Sequence, residues 1–193
     1  MTIDRRSTII DARPCETRER IVNVATYSAI ETLRDGRRIK IRAVTPADRE
    51  RWLDFIARTS DATRYRRFFS FKRSFSEQEI DYQVNVDLVS NVALAAGFEE
   101  EDGQEIGIGG ARYIVTEPGR AEVSFMTDDA HQGLGVASLL IRHLILIARD
   151  AGIKTFDAEV LSDNIPMLKV FQHCGLPMTV RQETEVTLIT LTL

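Results

Sequence analysis

The chain has 193 residues, 44% of them apolar, which fits one domain with a real core and excludes a disordered chain. Its formal charge of -4 gives no reason to expect a nucleic-acid partner, and Arg142 and His143 break the best candidate for a membrane-spanning apolar run. Two cysteines, Cys15 and Cys174, stand in no CxxC or metal spacing, and the N-terminus carries acids and arginines where a signal peptide would be apolar, so a reduced cytoplasmic protein without a metal is expected.

Residues 1–27 are charged from Arg13 to Arg20, then locally apolar at Ile21, Val22 and Val24; they read as a tail or an extra element packed on the domain. Residues 30–33 and 38–44 flank Asp35-Gly36, a hairpin signal because glycine accepts positive φ. Pro46 starts a helix after Thr45, with Trp52, Leu53, Phe55 and Ile56 expected on its buried side.

Residues 59–73 interleave arginines and Lys72 with Tyr65, Phe68, Phe69 and Phe71. Such a pattern can stack on RNA. The favoured reading puts the aromatics in the core and leaves the arginines wet, because guanidinium groups avoid burial without a partner.

Ser76 and Glu79 have capping-box spacing and open a second helix toward Val84. Strands are predicted over residues 91–98 and 105–115, and Gly107, Gly109 and Gly110 point to a bulge or a close backbone approach. Pro118-Gly119 then turns the chain into its central stretch.

Residues 121–151 read as a strand, a glycine turn and a long helix. Val123 and Phe125 share one strand face, Glu122, Ser124 and Met126 the other. From about Leu134 the positions Val136, Leu139, Leu140, Leu144, Ile147 and Ala148 recur at helical spacing, and Gly152 is a stop. The turn, Gln132-Gly133-Leu134-Gly135-Val136-Ala137, opens that helix with small residues, so its unpaired N–H groups form an anion site. No GxGxxG is present, and no Lys-Ser/Thr pair follows the glycines of the turn.

A second motif covers residues 155–176. A strand leads to Asp163 or Asn164 as a cap, Pro166 sits in the first turn of a short helix ending near His173, and Gly175 closes it. Residues 179–181 and 185–193 supply the last strands.

The Gln-x-x-Gly-x-Ala pattern of Gln132 to Ala137, with Asn164, Phe171, Gly175 and Leu176 in register behind it, resembles the acetyl-CoA pyrophosphate loop and the following motif of the GNAT superfamily of N-acetyltransferases. Within it, Ser60, Thr63, Arg64, Tyr65, Arg67, Phe68 and Phe69 look like a run in bacterial Pat-type protein-lysine acetyltransferases, so that stretch is also a candidate acceptor-recognition face. The resemblance implies an α/β (α+β) GNAT fold: a mixed, mostly antiparallel sheet of about seven strands, splayed between its fourth and fifth, with about four helices. It divides the chain into a partly ordered N-terminal extension, residues 1–35, and an acetyltransferase domain, residues 36–193. The extension is too short for the regulatory domain that Pat-type enzymes often carry.

The same resemblance implies acetyl-CoA as cosubstrate and an amine acceptor, most of all a protein lysine. An alkylammonium of pKa about 10.4 must lose a proton before it attacks a thioester, and Glu122 is the candidate base. The cofactor-binding set it implies is Phe125, Met126, Thr127, Gln132, Gly133, Leu134, Gly135, Val136, Ala137, Asn164 and Phe171. A backbone N–H near Phe125 or Met126 would face the developing oxyanion. Phe171 replaces the tyrosine with which many relatives protonate the leaving thiolate; water, or unassisted departure of a thiolate of pKa about 8.5, stands in for it. Asn164 has a helix-capping role as its alternative, Glu159 and Cys174 read as structural, and His131 and His173 as capping or surface residues. Acetylation of a small amine and a noncatalytic acyl-CoA-binding module remain the alternatives, and the sequence leaves acceptor and oligomeric state open.

Overall fold

A computed structural model of the chain describes residues 22–100 and 103–193. The readings made for residues 1–21, Cys15 among them, and part of the turn at residues 99–103 lie outside the described residues.

The chain opens with an antiparallel hairpin, β1 (Ser28–Thr32) and β2 (Arg38–Ala43). Three helices follow: α1 (Arg49–Ala57), α2 (Asp61–Phe68) and α3 (Glu77–Val84). Antiparallel strands β3 (Asn91–Glu99), β4 (Glu105–Glu117) and β5 (Arg120–Thr127) then lead into the long helix α4 (Val136–Asp150). The order closes with β6 (Thr155–Leu161), α5 (Ile165–Gln172), β7 (Met178–Gln182) and β8 (Val186–Thr192). All eight strands join one sheet in the order β1-β2-β3-β4-β5-β6-β8-β7.

Hydrophobic alternation places one layer of helix on each face. Val123 and Phe125 of β5 belong to the large core beneath α4, whose Leu140, Leu144 and Ile147 are essentially sealed from solvent. Truncating such a leucine to alanine costs about 2–5 kcal/mol. Met126 points the other way and packs with Phe55 and Ile56 of α1, backed by Trp52, Phe68 and Phe75. The two-face reading of β5 therefore holds.

Strands and helices number more than the sequence pattern predicted. Residues 61–68 form α2 although only Thr63 of that helix is buried, so it carries no apolar stripe for periodicity to detect. Leu53, expected inside, is 39% exposed because α1 meets β4 along a narrow face. Phe69 and Phe71 are also exposed, correcting the expectation that the aromatics enter the core: Phe69 caps α2 at φ 53 and turns the chain outward. The Ser76–Glu79 capping box forms as read.

Two features shape the site. The β3–β4 register shifts between Ala96 and Gly97, the bulge that the clustered glycines announced; there a Cβ on Gly109 would come within 2.8 Å of Val136 Cγ1 and 3.0 Å of Met126 O, so the first turn of α4 lies directly on the sheet. Further on, parallel strands β5 and β6 pair only from Arg120↔Thr155 to Glu122↔Asp157, and then diverge. That is the expected splay, displaced to the fifth and sixth strands because β1 adds one at the start.

Candidate active site

Where β5 and β6 part, a cleft of about 790 Å³ opens between them. It is floored by the free edge of β5, bounded by α2 on one side and α5 on the other, and closed at one end by the turn before α4. From Val123 to Thr127 that edge has no partner strand, so its alternate backbone groups are open to the cleft.

The sequence-derived residues converge here. Glu122 stands exposed at the last paired position of the split, between Ile114 of β4 and Asp157 of β6. Phe125, Met126 and Thr127 continue along the wall, with Met126 also reaching the core under α1. Phe171 of α5 closes the opposite side; it is 2% exposed and meets Phe125 edge to face at a centroid distance of 5.8 Å. Asn164 lines the cleft but its Oδ1 accepts the Met167 N–H at 3.3 Å, so the capping role is the one observed. Glu159, read as structural, is exposed and lines the cleft from β6.

The loop folds as an anion cradle. Gly133 and Gly135 adopt φ of 79° and 95°, a region that strains any residue with a Cβ, and helix α4 therefore starts at Val136 rather than at Leu134. Leu139 is the first to donate back, to Gly135 O at 3.0 Å, so the N–H groups of Val136, Ala137 and Ser138 lie ahead of the first helical hydrogen bond. Leu134 is the exception among the predicted contacts. Its side chain packs against the core, outside the cleft lining, because the turn between the two left-handed glycines rotates it inward.

Two groups escaped the sequence reading. Arg34, in the β1–β2 turn, donates its N–H to Leu134 O and its Nη1 to Gly133 O, both at 3.1 Å, and so brings a cation to the loop across 99 residues of sequence. Asp129 accepts from Ser60 N–H (2.7 Å), Ser60 Oγ (2.7 Å) and Thr63 Oγ1 (2.8 Å). Burial alone would raise its pKa, but those donors outweigh it and hold the carboxyl below its ordinary value. Gln132 Nε2 in turn donates to Thr63 Oγ1 at 3.0 Å. The Ser-x-x-Thr spacing was visible; its partner in the loop was not. Arg67, named in the Pat-like run, is treated below.

His131 and His173 both border the cleft. His131 Nδ1 lies 2.6 Å from Asp128 Oδ1 and His173 Nδ1 2.7 Å from Lys169 O, consistent with capping roles. No cluster of metal-ligating side chains occurs among the described residues.

A nucleotide-linked pantetheine thioester suits this geometry. The unpaired N–H groups at the head of α4, with Arg34 beside them, suit a diphosphate, and the apolar wall of Phe125, Val160 and Phe171 suits a thin neutral arm. Comparison with known proteins agrees. Residues 38–177 match the family model described as an acetyltransferase (GNAT) domain.

The chain belongs to the GNAT acetyltransferase family.

An acetyltransferase of Pseudomonas aeruginosa is 37% identical over 126 residues, covering 65% of this chain and 67% of that protein. The acetyltransferase Pat of Mycolicibacterium smegmatis is 31% identical over 160 residues, covering 82% of this chain but only 46% of Pat, so the chain spans less than half of that relative. Among solved structures, the GNAT domain of Streptomyces lividans PAT superposes with TM-score 0.78 at 35% identity, covering 86% of this chain and 97% of that one. As a GNAT acetyltransferase, this is an acetyl-CoA-dependent N-acetyltransferase.

Within the GNAT frame the cleft has two ends. Glu122 and the loop lie at opposite ends of exposed β5, and the five steps from Glu122 to Thr127 span roughly 16 Å at about 3.3 Å each.

Proposed function

We propose that this GNAT domain transfers acetyl from acetyl-CoA to a lysine side chain of a protein, with Glu122 as general base. One observation carries the reading: an exposed carboxylate stands at the point where β5 and β6 separate, beside the free backbone edge of β5. The similarity to Pat and to the PAT GNAT domain supports a protein acceptor. In this reading Val136, Ala137, Gln132 and Arg34 hold the diphosphate, and Phe125 and Phe171 flank the pantetheine arm. The bound cosubstrate supplies the activated acyl carbon.

The acceptor amine enters as its ammonium and Glu122 removes a proton, directly or through one water, freeing the lone pair for attack. An open N–H of β5 near Phe125 or Met126 stabilises the acyl oxygen as it gains charge. Phe171 carries no acidic proton, so the thiolate leaves unassisted or takes a proton from water. Residues 36–193 make up the catalytic domain, with β1 and the start of the turn after it as an arm that delivers Arg34. A cytoplasmic setting belongs to the same reading.

Incubation with labelled acetyl-CoA and a lysate of the source organism tests it. Labelled protein bands, absent with Glu122→Gln, are expected; label confined to small molecules would overturn the protein acceptor.

A further inference from the structure

Arg67 is a cation that lines the cleft without an ion-pair partner among the described residues. It sits in the last turn of α2 and lines both the main cleft and an adjoining pocket of about 100 Å³ beneath α1 and α3. Among the described residues no carboxylate lies within ion-pair distance of it; its contact is the Phe68 ring, 5.0 Å from its guanidinium carbon. Its surroundings are of mixed sign. Arg112, 5% exposed, adds a second positive charge to the small pocket, although its own donors are spent on Tyr82 O and Gln83 O. The Glu122 carboxylate opposes them from the main cleft. Burial, then repulsion from Arg112, pulls the Arg67 pKa down to about 10, so the group stays charged at neutral pH with fewer compensating contacts than a buried charge needs.

Its place along α2 says what the missing partner is. Thr63, one turn earlier, holds Gln132 of the phosphate loop. Arg67 is four residues further on, about 6 Å along the helix toward Glu122, and thus at the acceptor's end of the cleft rather than the phosphate end. A guanidinium fork there matches a carboxylate in two parallel hydrogen bonds. Resting on the proposed acetyl transfer at Glu122, we infer that Arg67 binds a carboxylate of the acceptor, close to the amine that is acetylated. The carboxylate belongs either to an acidic residue flanking a lysine or to a free amino acid.

Matched probes separate these sources: a lysine peptide flanked by aspartates against the same peptide flanked by asparagines, and L-lysine against L-lysinamide. In thermal-unfolding scans without cosubstrate, at least one carboxylate probe is expected to stabilise the wild type beyond its amide counterpart, and Arg67→Met to abolish the difference. In transfer assays the same carboxylate probe is expected to exceed its amide by about 10- to 100-fold in kcat/KM, falling toward parity in Arg67→Met. Arg67→Lys keeps the charge without the fork and retains part of the preference, which keeps the test readable should the methionine variant fold poorly. Acetyl-CoA affinity, measured by calorimetry, is expected to be unchanged in both variants; failure of the wild type to bind acetyl-CoA would sink the acetyltransferase reading while the scans still judge Arg67. Equal stabilisation by carboxylate and amide probes in both pairs, or a preference that survives Arg67→Met, overturns the inference.

Discussion

Gln132 Nε2 donates to Thr63 Oγ1 at 3.0 Å, and this bond ties the start of the cofactor loop to the first turn of α2. Thr63 Oγ1 in turn donates to Asp129 Oδ1 at 2.8 Å, so loop, helix and carboxylate form one hydrogen-bonded chain that ends on the carboxylate as acceptor. A loop held this way meets its ligand already in shape.

Thr63→Val removes the hydroxyl and leaves Gln132 and Asp129 each short of a partner. Loss of one net hydrogen bond of about 1 kcal/mol predicts an acetyl-CoA Kd about fivefold weaker, with kcat little changed. Calorimetric titration checks it.

Glu122→Gln keeps the shape of the side chain and removes the proposed base. Turnover at pH about 7 is expected to fall by about 10²- to 10⁴-fold, with acetyl-CoA affinity retained. The variant depends on amine that is already deprotonated, whose fraction rises tenfold per pH unit below about 10.4. Its kcat/KM is therefore expected to climb with a slope near one between pH about 7 and 9, more steeply than the wild type; a free-CoA release assay across that range decides it.

Arg34→Ala takes away the cation that the hairpin lends to the loop. Because this side chain is exposed, the effect is modest: Kd for acetyl-CoA rises about three- to fivefold at low salt, and the difference narrows as ionic strength increases. Titrations at two salt concentrations test both statements.

Asp48 anchors the start of α1. It receives Arg42 Nη1 at 2.8 Å and Nη2 at 2.6 Å, Arg51 Nη1 at 2.9 Å and the Thr45 N–H at 2.8 Å. Burial would raise its pKa, but the Arg42 guanidinium and the other donors more than offset that and hold the carboxyl well below the usual range. A depressed folded-state value contributes stability above the unfolded value of about 3.9 and loses it as pH falls through the folded one. Asp48→Asn is expected to cost about 3 kcal/mol near neutrality, leaving Arg42 with Glu105 alone, and the gap from wild type is expected to shrink below pH about 4. Urea unfolding followed by circular dichroism across that range measures it.

Reading the chain alone recovers the elements whose signal is local. Alternation in β5, helical spacing in α4, the turn at Gly36 and the Ser76–Glu79 capping box are each set by residues a few positions apart. The glycine loop belongs with them: Gly133 and Gly135 occupy backbone conformations that only their own missing Cβ makes cheap. Glu122 was singled out through the family resemblance, on the strand leading to that loop, and the structure shows it exposed at the last paired position of the β5–β6 split.

What escaped needed distant segments to meet. Arg34 reaches Gly133 and Thr63 reaches Gln132 because the β1–β2 turn and α2 both meet the loop that follows β5, a placement that no local periodicity encodes. Likewise Phe69 and Phe71 have the composition of core residues, yet lie outside because α2 ends at a left-handed residue that turns the chain toward solvent. Backbone conformation follows from nearest neighbours and is written in the sequence. The sign and depth of charge in the cleft are sums over segments far apart in the chain, and only the packed sheet, by parting at β5 and β6, decides which of them share the space.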